Sequence, residues 1–163
     1  MAKINSWKDE LTAALPLLGH RNWIVVADMA YPLQTQPGIK TLYVDDSYTD
    51  ILAHVHKEIT AAPHIKAAVY LDKELGFLDE KDVPGIDTLR GKMKAIFGDQ
   101  AQSILHDEMI ARLDQASRMF NVLLLKSSLT IPYTTTFFEL DCAYWDAARE
   151  KTLRKKLAAS GKK

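Results

Sequence analysis

The segment GHRNWIVVADMAYP, residues 19–32, decides the fold because it places one short apolar run between two titratable side chains. Gly19 opens a turn that contains His20, the run NWIVVA follows, and Asp28 ends it. An apolar, β-rich run too short for a helix is typical of a strand covered on both faces, as in α/β sheets. At about 3.3 Å per residue, His20 and Asp28 lie about 20 Å apart in one chain. Either they do unrelated jobs, or a neighbouring subunit brings a copy of one to the other.

The rest of the chain alternates predicted strands with predicted helices. Four further strands are expected, at 39–45, 64–72, 120–128 and 133–141. Helices are expected from a cap at 5 or 6 to about 17, from 46 or 47 onward, over 87–98, from about 102, and in the tail from 143. This alternation predicts a single α/β domain over residues 1–163, with a largely parallel sheet, flanking helices and a carboxyl-terminal helical extension from about 143 to 163.

Composition excludes several classes of protein. Lysine plus arginine and aspartate plus glutamate each number 21, so no overall basic field attracts nucleic acid. No window approaches the roughly 20 apolar residues of a membrane span, and the amino end lacks a signal-peptide core. Cys142 is the only cysteine, which excludes an internal disulfide and fits a reducing compartment. We therefore expect a cytoplasmic protein without nucleic-acid binding or membrane insertion.

A second informative stretch is KSSLTIPYTTTFFEL, residues 126–140. Pro132 cannot donate to a sheet ladder, so a bend is expected just before Tyr133. Tyr133 and Thr135 are two apart on the strand predicted to follow, and alternate residues of a strand share a face. A phenol beside a hydroxyl is a reasonable binding pair for a polyol.

These two stretches carry a resemblance to a known family. LGHRNWIVVADMAYP resembles the motif of the D-ribose pyranase and L-fucose mutarotase family, in which a Gly-His turn enters a short strand ending in Ala-Asp, with a proline four residues later. KSSLTIPYTTTFFEL is similar to the closing Pro-Tyr motif of that family. Between them, ILHDEMIARLDQAS is similar to a family helix that opens on a histidine or arginine. The resemblance covers roughly residues 5 to 140.

The resemblance implies a role for each matching position. His20 would transfer protons, Asp28 and His106 would contact sugar hydroxyls, and Tyr133 with Thr135 would line the pocket. It also implies a ring-shaped homo-oligomer whose pockets lie between adjacent subunits, a fucose- or ribose-like monosaccharide as substrate, and neither cofactor nor metal. Two departures stand out. Thr135 replaces the usual asparagine, and the chain continues some twenty residues past the family's end.

Three functions remain open at this point. The first is cofactor-free interconversion of anomers or of pyranose and furanose rings. The second is a non-catalytic sugar-binding or transport-associated protein, and the third is an oligomeric scaffold. Simpler roles also exist for individual residues, since Asp28 can cap a turn and the charges at 72–74 are expected to be solvated. His54 and His56 are two apart on a helix, so their side chains diverge by about 200° and cannot bind one zinc ion.

Overall fold

The computed structural model describes residues 6–161, and within that range the chain forms six strands and five helices. The strands are Trp23–Ala27 (β1), Ile39–Tyr43 (β2), Ile65–Asp72 (β3), Ala101–Ile104 (β4), Val122–Lys126 (β5) and Thr136–Cys142 (β6). The helices are Trp7–Ala14 (α1), Tyr48–Ala61 (α2), Ile86–Phe97 (α3), His106–Ser117 (α4) and Ala147–Ser160 (α5). Short 3₁₀ turns cover Leu15–Leu17 and Lys73–Phe77. Residues 1–5 and 162–163 of the predicted domain lie outside this range.

All six strands form one sheet, in the order β2-β5-β1-β6-β3-β4. The β2–β5, β5–β1 and β3–β4 pairs are parallel. β6 runs antiparallel to both of its neighbours, β1 and β3. Five strands therefore point the same way and one points back. The predicted α/β class with a largely parallel sheet is confirmed. The antiparallel direction of β6, at the centre of the sheet, was not predicted.

The sheet is covered on both faces, as the apolar run in β1 predicts. All five residues of β1 are buried, and they alternate between two hydrophobic clusters. Ile24 and Val26 face the cluster that holds the apolar stripes of α1, α2 and α3, whereas Val25 faces the cluster that holds α4. No residue of α5 is buried, so this helix contributes nothing to either cluster. None of the helices described here is long and apolar enough to cross a lipid bilayer.

Two local expectations are wrong. Residues from about 102 were expected to be helical, but Ala101–Ile104 is the edge strand β4 and α4 begins at His106. The parallel hydrogen bonds to β3 decide this conformation, and they are not encoded in local periodicity. Tyr133 and Thr135 precede β6 instead of lying on it. Tyr133 has φ 56°, in the left-handed region, which no strand residue adopts.

The antiparallel strand should contribute strongly to stability. Phe138 is fully buried in β6, and its ring lies edge-on to Phe97 of α3 with 5.9 Å between centroids. We expect Phe138→Ala to lower the free energy of unfolding in urea by about 3–5 kcal/mol, because it removes apolar contacts and leaves a cavity. Phe77→Ala is the matched control, since Phe77 is 80% exposed. Equal losses in the two variants would contradict the assignment of Phe138 to the core.

Candidate functional site

An open cleft of about 530 Å³ lies at the carboxyl end of β1, beside the start of α4 and the segment that precedes β6. Its walls are formed by Asp28, Met29, Ala30, Tyr31, Pro32, His106, Thr130, Ile131, Pro132, Tyr133 and Thr135. Four of the five residues predicted from the sequence line it, namely Asp28, His106, Tyr133 and Thr135. The carboxyl edge of a mostly parallel sheet is where α/β proteins commonly bind ligands. We name this space the strand-end cleft.

Asp28 is held at the rim of the strand-end cleft by the turn that follows β1. Its Oδ1 accepts a hydrogen bond from the backbone N–H of Ala30 at 2.8 Å, and its carbonyl accepts one from the N–H of Tyr31 at 3.3 Å. Asp28 therefore does cap a turn, as the simpler interpretation expects. One carboxylate oxygen carries that bond, so the other is left to accept from a ligand hydroxyl.

His106 is oriented by two carboxylates that lie outside the cleft wall. Its Nδ1 lies 2.9 Å from Oδ2 of Asp72, at the end of β3. Its backbone N–H donates to the carboxylate of Glu74, at 3.1 and 3.2 Å to the two oxygens. With Nδ1 engaged, Nε2 is the ring nitrogen that remains for a ligand. The prediction that the charges at 72–74 are solvated is wrong for Asp72, which is almost fully buried.

Asp72 is an unusual carboxyl group. Burial raises its pKa to about 6, the hydrogen bond and charge of His106 oppose that rise, and the nearby carboxylates of Glu74 and Asp28 add to it. Its Oδ1 is buried without a hydrogen-bond partner among residues 6–161. A buried titratable group beside a cleft is a common feature of functional sites. The raised pKa gives this edge of the sheet a carboxyl group that changes its charge within about one unit of neutral pH.

The segment that precedes β6 forms the remaining wall. The Tyr133 ring lies edge-to-face against His106, with 5.7 Å between centroids and an interplanar angle of 86°. Tyr133 is 41% exposed, whereas Thr135 is almost fully buried. Thr134 and Thr136 anchor the segment to α2, because the Tyr48 hydroxyl contacts the Thr134 carbonyl and lies 3.0 Å from Thr136 Oγ1. These contacts hold the segment in place although the positive φ of Tyr133 is an unfavourable backbone conformation for a residue other than glycine.

His20, the fifth predicted residue, lies at the opposite end of β1, in a different cleft. Its Nδ1 is 2.7 Å from Oδ1 of Asp141, at the end of β6. Both side chains are at least half exposed. This second cleft, which we name the His20 cleft, has a volume of about 830 Å³ and also contains Arg21, Trp145 and Glu150. The structure therefore does not bring His20 to the other four residues within one chain.

Neither carboxylate partner was found from the sequence. Asp141 ends the predicted strand YTTTFFELD and Asp72 ends the predicted strand HIKAAVYLD. The sequence signal for them is their position, because an aspartate at the end of a strand can contact side chains that neighbouring strands place at the same edge of the sheet. Among residues 6–161, no three histidine, cysteine or carboxylate side chains converge as metal ligands.

Comparison with solved structures identifies the architecture. RbsD from Bacillus subtilis, solved in complex with D-ribose, superposes with a TM-score of 0.60 over 86% of this chain and 98% of its own, at 17% sequence identity. FucU from Bifidobacterium longum gives 0.56 over 83% and 94%, at 18% identity. The chain has the RbsD–FucU fold. Fucose mutarotase from Streptococcus pneumoniae, in complex with L-fucose, gives 0.52 over 81% and 91%, at 16% identity.

Sequence comparison alone finds no relative, since no family model and no curated protein sequence matches the chain. The resemblance read from the two motifs is nevertheless confirmed at the level of the fold. Almost the full length of each structure is covered, so the match is to the whole RbsD–FucU fold and not to a shared fragment.

The raised pKa of Asp72 predicts a pH dependence of stability. Between about pH 4 and pH 6 the folded chain keeps a proton on Asp72 that the unfolded chain has released, so the free energy of unfolding falls as the pH rises through this window. In Asp72→Asn we expect the fall in the free energy of unfolding between pH 4 and pH 7, measured by urea unfolding, to be smaller than in the parent by on the order of 2–3 kcal/mol.

Asp45→Asn serves as the control, because Asp45 is exposed just after β2. This variant should retain the decline of the parent. Identical pH profiles for the parent and Asp72→Asn would contradict the buried, protonatable state of Asp72.

Proposed function

We propose that this protein is an isomerase that interconverts the forms of a free monosaccharide by acid–base opening and closing of the ring. The observation that carries the proposal is the strand-end cleft, where Asp28, His106 and Tyr133 converge on a fold shared with structures solved in complex with D-ribose and L-fucose. The substrate class is therefore a ribose- or fucose-like sugar. Both anomeric exchange and pyranose–furanose exchange use the same chemical step.

That step needs only proton transfer. Ring opening removes a proton from the anomeric hydroxyl and delivers one to the ring oxygen, and closure reverses both transfers. Positioned acid–base groups typically contribute about 10²–10⁴-fold to such reactions. A group that titrates near neutral pH serves best, and histidine is that group. We assign proton transfer to His20, and hydroxyl binding to Asp28, His106, Tyr133 and Thr135. Neither cofactor nor metal is required by this chemistry.

The position of His20 requires a second copy of the chain. β1 is a fully buried strand that lies between His20 and Asp28 and keeps them apart by its own length. We therefore propose a homo-oligomer, in the form of a closed ring, in which the His20 cleft of one protomer meets the strand-end cleft of the next. A head-to-tail contact between two different surfaces closes into a ring when its rotation permits. The exposure of His20 leaves it accessible to such a partner.

A second candidate function is sugar binding without catalysis, as in a transport-associated protein. The observation that favours it is that the strand-end cleft of one chain contains the four residues to which we assign hydroxyl binding but not His20. Thr135 adds to this alternative, because a nearly buried hydroxyl replaces the asparagine that the family motif carries. A scaffold built from the same ring is the third. We propose a cytoplasmic location for each of these activities, because a single cysteine fits a reducing compartment.

The catalytic assignment predicts the behaviour of two variants. Saturation-transfer NMR should show faster exchange between the forms of at least one sugar among ribose, fucose and galactose when the protein is added. We expect His20→Ala and Asp28→Ala each to reduce that acceleration by about 100-fold or more, because one loses the proton-transfer group and the other a substrate contact.

His56→Gln is the control, since His56 packs on Phe97 and lines neither cleft. It should accelerate exchange as the parent does. Unchanged exchange in His20→Ala would overturn the catalytic assignment. Saturable sugar binding without acceleration by the parent would select the binding protein, and an oligomer that binds no sugar would select the scaffold.

Assembly of the site from two protomers predicts complementation. Co-expression of His20→Ala with Asp28→Ala should restore exchange, because a protomer with Asp28→Ala still supplies His20 to a neighbour that retains Asp28. Random mixing should leave about a quarter of the head-to-tail interfaces intact. Separately purified single variants, assayed at the same total concentration, should stay inactive. No recovery in verified mixed oligomers would contradict the two-protomer site.

A further inference from the structure

We propose that Asp141 is the positioning residue for His20, and that it holds the imidazole in the tautomer and direction that proton transfer requires. This inference rests on the proposed function, because it assigns a second residue to the same step. Nothing in the sequence motifs marks Asp141, which follows the closing motif at the end of β6.

Asp141 contacts His20 directly, and a second hydrogen bond holds its carboxylate in place. Oδ1 of Asp141 lies 2.7 Å from Nδ1 of His20 and also accepts the backbone N–H of Cys142 at 2.7 Å. The bond from Cys142 fixes the carboxylate against the end of its own strand. A carboxylate anchored to the backbone constrains its partner more than one that is free to rotate, so the bond limits the ring of His20 to a small set of directions.

The charge state of Asp141 sets the tautomer of His20. Partial burial acts to raise the pKa of Asp141, but hydrogen bonds from the Cys142 N–H and from His20, together with the charges of His20 and Lys66, outweigh it and lower the pKa below its usual range. An ionised carboxylate only accepts hydrogen bonds, so Nδ1 of His20 must carry the proton. The lone pair of the neutral ring is then on Nε2, where it can take a proton from a sugar hydroxyl.

Hydrogen bonds hold the backbone around His20, so the side-chain torsion angles of His20 are what remains free to change. Arg21 has φ 72° and its N–H donates to the Leu140 carbonyl at 2.9 Å, which ties the turn to β6. The Gly19 N–H donates to Oδ1 of Asn22 at 2.8 Å, which closes the turn on itself. With both flanking residues held, the orientation of the imidazole depends on its own rotamer and therefore on Asp141.

The same chain contains a second example of this arrangement. His106 is bonded through Nδ1 to Asp72 at 2.9 Å, and it too keeps Nε2 for the ligand side. In each of the two histidines of the proposed site, Nδ1 is thus hydrogen-bonded to a carboxylate. They differ in setting, because Asp72 is buried whereas Asp141 is half exposed.

Two substitutions separate orientation from charge. Asp141→Ala removes the acceptor altogether. Asp141→Asn keeps an oxygen that can accept from both Cys142 and His20, but it removes the negative charge. Asp114→Asn is the matched control, because it makes the same change at a partly exposed carboxylate that lines neither cleft and bonds Arg118 and Gln36.

The first readout needs no sugar. Nitrogen-15 NMR of the imidazoles, at a pH where the rings are neutral, reports which nitrogen carries the proton. We expect His20 to be protonated on Nδ1 in the parent, in Asp114→Asn and largely in Asp141→Asn. In Asp141→Ala we expect a shift toward the Nε2-protonated form. The second readout is sugar exchange, in which Asp141→Ala should lower kcat about 10-fold or more while KM changes less than about twofold, and Asp141→Asn should fall between it and the parent.

These outcomes decide between the two proposals. An active parent whose His20 tautomer and kcat are unchanged by Asp141→Ala would overturn the positioning role and leave the proposed function intact. A loss confined to KM would also overturn it, because it would make Asp141 a sugar contact. A parent that accelerates no exchange would overturn the proposed function and, with it, the catalytic part of this inference.

Discussion

The antiparallel pairing of β1 with β6 is the constraint on which both clefts depend. Trp23 lies opposite Glu139 and Val26 opposite Thr136, so the strands run past each other in opposite directions. The end of β1 therefore adjoins the start of β6, which brings Asp28 to the wall formed by Tyr133 and Thr135. The start of β1 adjoins the end of β6, which brings His20 to Asp141. The hydrogen-bonded pairing of β1 with β6 thus determines which residues meet in each of the two clefts, which lie at opposite ends of these strands.

The other side of β6 explains the buried carboxyl group. β3 pairs antiparallel with β6, and Leu71 lies opposite Thr136, so Asp72 reaches the same edge as Asp28. β4 is parallel to β3 and ends beside it, which delivers His106 at the first residue of α4. Burial of a carboxyl group is costly unless it is paired, and the bond to His106 supplies the pairing. The low exposure of Asp72 raises its pKa, and the partner moderates that rise.

The sequence predicts those parts of the site that depend on local order. His20 and Asp28 could be placed at opposite ends of a strand because a run of five apolar residues determines both the strand and its length. Their carboxylate neighbours could not be placed, since Asp141 is 121 residues from His20 and Asp72 is 34 from His106. Those contacts depend on strand order and direction, which periodicity does not encode. The edge strand β4 was missed for the same reason, because its four residues gain their conformation from β3.

The length of β1 has a consequence for any chemistry at this edge of the sheet. A buried strand with a neighbour on each side cannot shorten, and no rotamer of His20 or Asp28 spans the distance between its ends. Chemistry that uses both residues therefore requires two chains, and its rate must depend on how those chains assemble. A histidine held by Asp141 on an exposed turn then has a physical rationale. In the proposed homo-oligomer this histidine would be oriented before the partner arrives, because the interface that could otherwise hold it would belong to another molecule.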